Sequence, residues 1–253
     1  MENITVAVTG LNAIDSPGPG IPVIRCLKES EQFNVRTIGL SYENLEPGIY
    51  MRDLVDKAYS IPYPSAGSDK LIERLLYIHK KENIDVIIPN FDAELFSFIK
   101  IKKFLKELNI GTLLPNLEQF EARHKYNLYE FGKKYNINIP YSKIINTPDE
   151  IPKENNSEVN YPIVVKGKYY DAKIARTKEQ AYSYFNEIAA KWGLPIIIQE
   201  FLSGTELNVA GLGDGKGNRI AAVAMRKQYV TDKGKAWAGI TIEDENLLSL
   251  TEN

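Results

Sequence analysis

The stretch YPIVVKGKYYDAKIARTKEQA (161–181) decides how this chain is read. Ile163, Val164 and Val165 are β-branched and read as a buried strand. Lys166 follows in the same extended run, ahead of Gly167 and Lys168. An ammonium at the end of an apolar strand is costly unless it is paired or hydrogen-bonded. The stretch therefore poses a chemical question: which anion waits for Lys166. AKIAR (172–176) reads as a second strand, and Thr177 with Gln180 three residues on marks the start of a helix reaching Lys191.

Outward from this stretch the pattern is α+β. PIIIQEFLSGTELNVAGLG (195–213) reads as strand, turn at Ser203-Gly204, and strand, and DGKGN (214–218) is a hairpin turn into RIAAVAMRKQYV (219–230). Upstream, NLEQFEARHKYNLYEFGKKYNI (116–137) is helical with a break near Arg123-His124, and PYSKIIN (140–146) is a strand. TPDEIPKENNSEVN (147–160) reads as a short helix running into a polar, mobile surface loop.

The first half has another rhythm. Strands at 4–10, 34–40 and 84–90 alternate with helices at Ile21 to Glu31, Ser68 to Asn83 and Ala93 to Leu108. Such alternation implies a parallel sheet covered on both faces, a Rossmann-like unit over roughly 1–115. Ligands of open parallel sheets sit at the carboxyl ends of the strands. Two segments qualify there. TGLNAIDSPGPG (9–20) is either an anion-holding loop at a helix start or a tight turn needing glycine and proline geometry. In PNFDAEL (89–95), Asp92 and Glu94 follow a strand, and Asp92 is either a helix cap or a ligand contact. The G-x-G-x-x-G spacing is missing, which argues against a nicotinamide-dependent reductase.

The 253 residues suffice for two domains, and the balance of Lys+Arg 31 against Asp+Glu 33 gives no global pull toward nucleic acid or an anionic membrane. Any basic function is therefore local. Cys26 has no partner for an intramolecular disulfide and reads as an inert buried thiol on a helix. No window reaches the length of a membrane span, and MENITVAVTG lacks the features of a signal peptide, so the expected location is cytoplasmic. His79, amid lysines, reads as solvated, and no Cys/His cluster suggests zinc.

The second half sets polar residues among apolar runs. Gln199 and Glu200 follow three isoleucines, Glu206 follows the turn at Gly204, and Arg226, Lys227, Lys233 and Lys235 surround a glycine-containing turn. A nucleotide would explain the set: lysines toward phosphates, backbone toward an adenine edge, a carboxylate toward ribose hydroxyls.

The order of these pieces resembles the ATP-grasp superfamily. VAVTGLNAIDSPGPG and IIPNFDAEL look like the nucleotide-binding pre-domain of proteins similar to the carbamoyl-phosphate synthase large subunit. RHKYNLYEFGKKYNINIP, YPIVVKGK and IIIQEFLSGTELNV look like the family's two phosphate lysines and its hinge. The resemblance implies a pre-domain at 1–115 and a two-lobed ATP-grasp domain at 116–253, with lobes at about 116–198 and 199–253. It carries phosphate contacts to Lys125 and Lys166, adenine contacts to Gln199, Glu200, Phe201 and Leu202, and a ribose contact to Glu206. The glycine-rich phosphate loop of many relatives is replaced by KGKYYDAKIAR, with Tyr169, Tyr170 and Asp171, so the expected lid is either shorter or uses Lys168 and Lys173.

The family's magnesium ligands are expected beyond residue 253, which makes the second lobe incomplete. Glu252 and Asn253 are a poor substitute, and Glu243 to Glu245 read as a solvated turn. The implied activity is an ATP-dependent carboxylate–amine ligase acting through an acyl phosphate, with ATP and Mg2+ as cofactors and small carboxylate and amine substrates. Homodimers are common among relatives. The rival expectation is a non-catalytic or split nucleotide-binding module that takes its metal ligands from a second polypeptide.

Overall fold

Short runs of valine and isoleucine build the first sheet. β1 (Glu2–Val8), β2 (Phe33–Ser41), β3 (Lys57–Ser60) and β4 (Val86–Ile88) pair in parallel in the order β3-β2-β1-β4. The helices α1 (Gly20–Lys28), α2 (Ser68–Glu82), α3 (Asp92–Lys100) and α4 (Lys102–Glu107) supply the crossovers and cover. Because strand side chains alternate, the sheet carries two cores. Ala7, Ile38, Leu40 and Ile87 pack with Leu75, Ile78, Phe98 and Leu105 on one side. Val6, Val8 and Val35 pack with Leu11, Ile24 and Val55 on the other.

Four details depart from the sequence reading. The helix expected over 93–108 is interrupted at Ile101 (φ −94, ψ 7), a bend that leaves Phe98, Ile101 and Leu105 all in one core. Cys26 is exposed rather than buried: Ile24 takes the core position of α1, and two residues further round lies the opposite face. His79 is not fully solvated, since α2 carries its Nδ1 into a sealed position without a hydrogen-bond partner. β3 was not expected; KAYS is a four-residue edge strand with too few apolar residues to show a period.

The computed structural model describes residues 1–14, 17–153, 159–168, 171–230 and 236–251. The expectations for Lys233, Lys235, Tyr169, Tyr170, Glu252, Asn253 and part of each polar loop lie outside the described residues. Contacts divide the chain into two units, Met1–Leu117 with Leu212–Ala221, and Glu118–Gly211 with Ala222–Asn253.

In the second unit, α5 (Leu117–Ala122) and α6 (Leu128–Tyr135) are separated by a turn that holds His124 and Lys125. β5 (Ser142–Ile145), β6 (Ile163–Gly167), β7 (Ala172–Ala175) and, after α7 (Lys178–Trp192), β8 (Ile196–Glu200) form an antiparallel sheet in the order β5-β8-β6-β7. β9 (Leu207–Gly213), β10 (Arg219–Val230) and β11 (Ala236–Ile242) make a three-stranded sheet, followed by α8 (Glu245–Ser249).

Local chemistry sets the boundaries. The Thr177 hydroxyl accepts from Gln180 N at 3.3 Å while the Gln180 side chain accepts from Arg176 N at 2.8 Å, a reciprocal cap on α7. The Asp214 carboxylate accepts from the amides of Lys216 (2.7 Å) and Asn218 (3.1 Å), closing the β9–β10 turn. Asp244, read as part of a solvated turn, instead caps α8 by accepting from Leu247 N at 3.0 Å. Ala181, Phe185 and Ile188, spaced at i, i+4 and i+7, seat α7 on Ile163, Val165, Ile196 and Ile198. Phe185→Ala would cost about 3–5 kcal/mol by emptying the middle of that contact. Among the described residues, no helix is long and apolar enough to cross a membrane.

Candidate functional site

Strand alternation answers the question posed by Lys166. In β6 the residues Ile163, Val165 and Gly167 are buried, while Val164 and Lys166 are only half-buried. The odd-numbered residues face α7, so Lys166 stands on the opposite face. β8 lies beside it, with Val164 paired to Gln199 and Lys166 to Ile197, which brings the Gln199 side chain diagonally up to Lys166.

The ammonium meets a neutral amide. Lys166 Nζ donates to Gln199 Oε1. Gln199 Nε2 donates to Ser142 Oγ at 2.9 Å, and Ser142 Oγ donates to Pro140 O at 3.2 Å. The last bond fixes the polarity of the others. Since Ser142 spends its proton on a carbonyl, it accepts from the Gln199 amide nitrogen, and the Gln199 oxygen must face Lys166. Burial pushes the Lys166 pKa below the ordinary lysine range; the positive charge of Lys125 pushes it the same way, and Glu206 partly offsets both. Lys166 thus feels the charge of a second lysine while its own hydrogen-bond acceptor is uncharged.

The remaining expected site residues divide. Lys125 is exposed in the α5–α6 turn, and Lys168 stands over the Tyr126 ring at 5.4 Å. Glu200 points away from the Lys166 face: its carboxylate accepts from Tyr141 N at 3.2 Å and lines a cleft of about 400 Å3 with Tyr129, Lys133, Pro140 and Leu202. Phe201 follows β8 half-buried, and Leu202 is 61% exposed. Glu206 is exposed and ion-paired with the partly buried Lys227. Lys173, expected as a lid residue, is paired with Glu187 at 2.6 Å. Neither the Ser142 link nor the pairing of Glu206 with Lys227 was read from the sequence. Both depend on cross-strand register, for which only alternation gave a signal.

In the first unit the strand ends close on themselves. Gly10 sits at φ +82, and its carbonyl accepts from Gly20 N at 2.9 Å, so the first amide of α1 is already used. Glu94, not Asp92, satisfies the start of α3. Its Oε1 accepts from Asn90 N (2.7 Å), Phe91 N (3.0 Å) and the Thr9 hydroxyl (2.5 Å), and its Oε2 accepts from Tyr42 OH. Glu94 and Thr9 are essentially inaccessible to solvent. Burial, then the Glu94 charge, drives the Tyr42 phenol far above its ordinary pKa.

No family model matches the chain. A carbamoyl phosphate synthase large chain from Clostridium perfringens strain SM101 is 30% identical over 227 residues, covering 85% of this chain and 20% of that one. The chain thus spans about a fifth of the length of the curated relatives it matches. The L-amino acid ligase of Bacillus licheniformis superposes with a TM-score of 0.65 at 16% identity, over 100% of this chain and 59% of that one. This chain carries the ATP-grasp fold and resembles the carbamoyl phosphate synthase large chain. The biotin carboxylase domain of the Hydrogenobacter thermophilus 2-oxoglutarate carboxylase, solved with MgADP and bicarbonate, agrees at a TM-score of 0.66 and 18% identity, over 98% and 57% of the two chains. Among the described residues of this ATP-grasp chain, no group of three His, Cys, Asp or Glu is placed to hold a metal ion.

Proposed function

We propose that this chain binds ATP through its second unit and serves an ATP-dependent carboxylate–amine ligase of the carbamoyl-phosphate synthase-like type. The observation that carries the reading is Lys166: a half-buried ammonium with depressed pKa, repelled by Lys125 and bonded to an amide. Such a site gains most from a polyanion, because phosphate oxygens neutralise both cations in a medium less polar than water.

In this reading Lys125 and Lys166 hold phosphates, with Lys168 beside them. Gln199, Glu200, Phe201 and Leu202 form the adenine hinge, and Glu206 reaches the ribose. The lobes are about 116–198 and 199–253, after a pre-domain at 1–115. The γ-phosphoryl group moves to a carboxylate or bicarbonate oxygen, and the amine nitrogen then attacks the acyl carbon and expels phosphate. The work of the lysines is to position the triphosphate and to balance charge developing on it. The biotin carboxylase neighbour was solved with MgADP and bicarbonate, which supports the choice of nucleotide and substrate class here. Magnesium, when bound, would help neutralise phosphate charge, and no metal ligand is assigned among the described residues.

That last observation favours a second reading, a nucleotide-binding module that does not turn over alone. Calorimetric titration with ATP tests the shared part, with saturable binding expected and its absence overturning both readings. ADP release on adding bicarbonate or amino acids with ammonium separates the two: turnover supports the ligase, and binding without turnover supports the module.

A further inference from the structure

A concavity of the first unit lies beside the edge strand, far in sequence from the lysines above. It encloses about 690 Å3 between the end of β3 and α2, lined by Ser60, Ile61, Pro62, Ala66, Lys70, Glu73, Arg74 and Tyr77. That volume is within the roughly 300–1,000 Å3 range of small-molecule sites.

Arg74 is held in place there. Its Nε donates to the carbonyl of Ser60, the last residue of β3, at 2.7 Å. Its guanidinium stands 5.1 Å from the centre of the Tyr77 ring and 5.9 Å from that of Tyr59. One hydrogen bond and two aromatic neighbours orient the plane, and no carboxylate among the described residues forms an ion pair with it. The adjacent acid, Glu73, is engaged by Lys70 at 3.2 Å. Tyr77 adds to the picture: hydrogen bonding to Lys81, with the charges of Lys81 and Arg74, holds its phenol below the ordinary range.

A planar fork with its Nε anchored presents two Nη groups in the geometry that matches a carboxylate or phosphate. Lys70 can turn from an exposed pair with Glu73, worth little in water, to a second contact. Ile61, Pro62, Ala66 and the Tyr77 ring supply apolar wall, and Ser60 and the Glu73 carboxylate complete the lining. We infer that this groove binds a small organic anion, its carboxylate or phosphate on the Arg74 fork and its apolar body against Ile61, Pro62, Ala66 and Tyr77. The site lies within one unit and stands or falls independently of the nucleotide reading.

The test is a titration of the whole chain with phenyl phosphate, benzoate, inorganic phosphate and benzyl alcohol, followed by NMR at the Ala66 methyl and the Tyr77 ring. Phenyl phosphate or benzoate is expected to saturate both signals, and the one that binds tighter identifies the head group. Benzyl alcohol and inorganic phosphate, each lacking half of the recognition, should bind at least about tenfold more weakly. Arg74→Met should weaken the organic anion about tenfold or more, and Arg74→Lys, which keeps charge and loses the fork, by less. No saturation by either organic anion into the tens of millimolar overturns the proposal. So does saturation that maps to residues away from the groove, or that folded Arg74→Met leaves unchanged. Should Arg74→Met fail to fold, the wild-type shift map and the probe series decide alone.

Discussion

Two polar clusters of this chain sit on β-sheets and obey opposite logics. At the strand ends of the first unit, the Glu94 carboxylate is buried and receives four donors, from Thr9, Tyr42, Asn90 and Phe91. On the open face of the second unit's first sheet, Lys166 is half-buried and finds a neutral acceptor, with a second cation near by. A buried charge surrounded by matched donors is a structural device, because removing it would orphan every group around it. A partly buried charge with a weak partner costs stability in the free protein and is relieved by a ligand.

The largest expected effect tests the first half of that contrast. Glu94→Ala should lower unfolding free energy by about 3 kcal/mol or more, since it strands several buried donors at once. Chemical denaturation measures it, and a loss under about 1 kcal/mol would show the cluster to be less structural than its geometry says.

Lys166→Met should behave in reverse. Nucleotide affinity drops about 100-fold, as expected for losing charge-assisted bonds to phosphate, while the melting temperature holds or rises because a desolvated ammonium is gone. Unchanged affinity in a titration would remove Lys166 from the site. A clear fall in melting temperature would remove the claim of a stability cost.

Alkaline pH sharpens the same point. The free-state pKa of Lys166 is depressed, and a bound anion raises it, so binding takes up a proton once pH exceeds the free-state value. ATP affinity should be flat below that pKa and fall above it, by at most about tenfold per pH unit. A flat profile to the ordinary lysine range would contradict the assignment.

Ser142→Ala is a subtler test. Without the hydroxyl, the Gln199 amide can flip and present Nε2 to Lys166, so nucleotide binding should weaken about threefold, with Ser142→Thr restoring it.

The smallest effect belongs to Asp56 in the first unit. Burial pushes its pKa up, but the Lys28 ammonium and the Thr37 amide and hydroxyl outweigh that and leave it lowered. A lowered carboxylate adds stability above its unfolded pKa and loses it as pH falls through the folded one. Asp56→Asn should therefore flatten the acid limb of a stability–pH curve and leave it otherwise parallel; an unaltered acid limb would show that the pairing contributes nothing.

Much of this was legible without coordinates. The 2.0 and 3.6 periods of the apolar residues determined a parallel sheet in one half and antiparallel strands in the other, because side-chain direction follows from backbone geometry alone. Residue type and order placed a lysine in a valine-rich strand and an amide and a carboxylate after three isoleucines. Only the tertiary structure decided which neighbours those groups meet. Register set Gln199 and Ser142 beside Lys166 and turned Glu200 to the other face; helix rotation exposed Cys26 and half-buried His79; and an unread edge strand supplied the carbonyl that orients Arg74. Contacts between residues far apart in the chain depend on pairing and packing, and no local pattern encodes them.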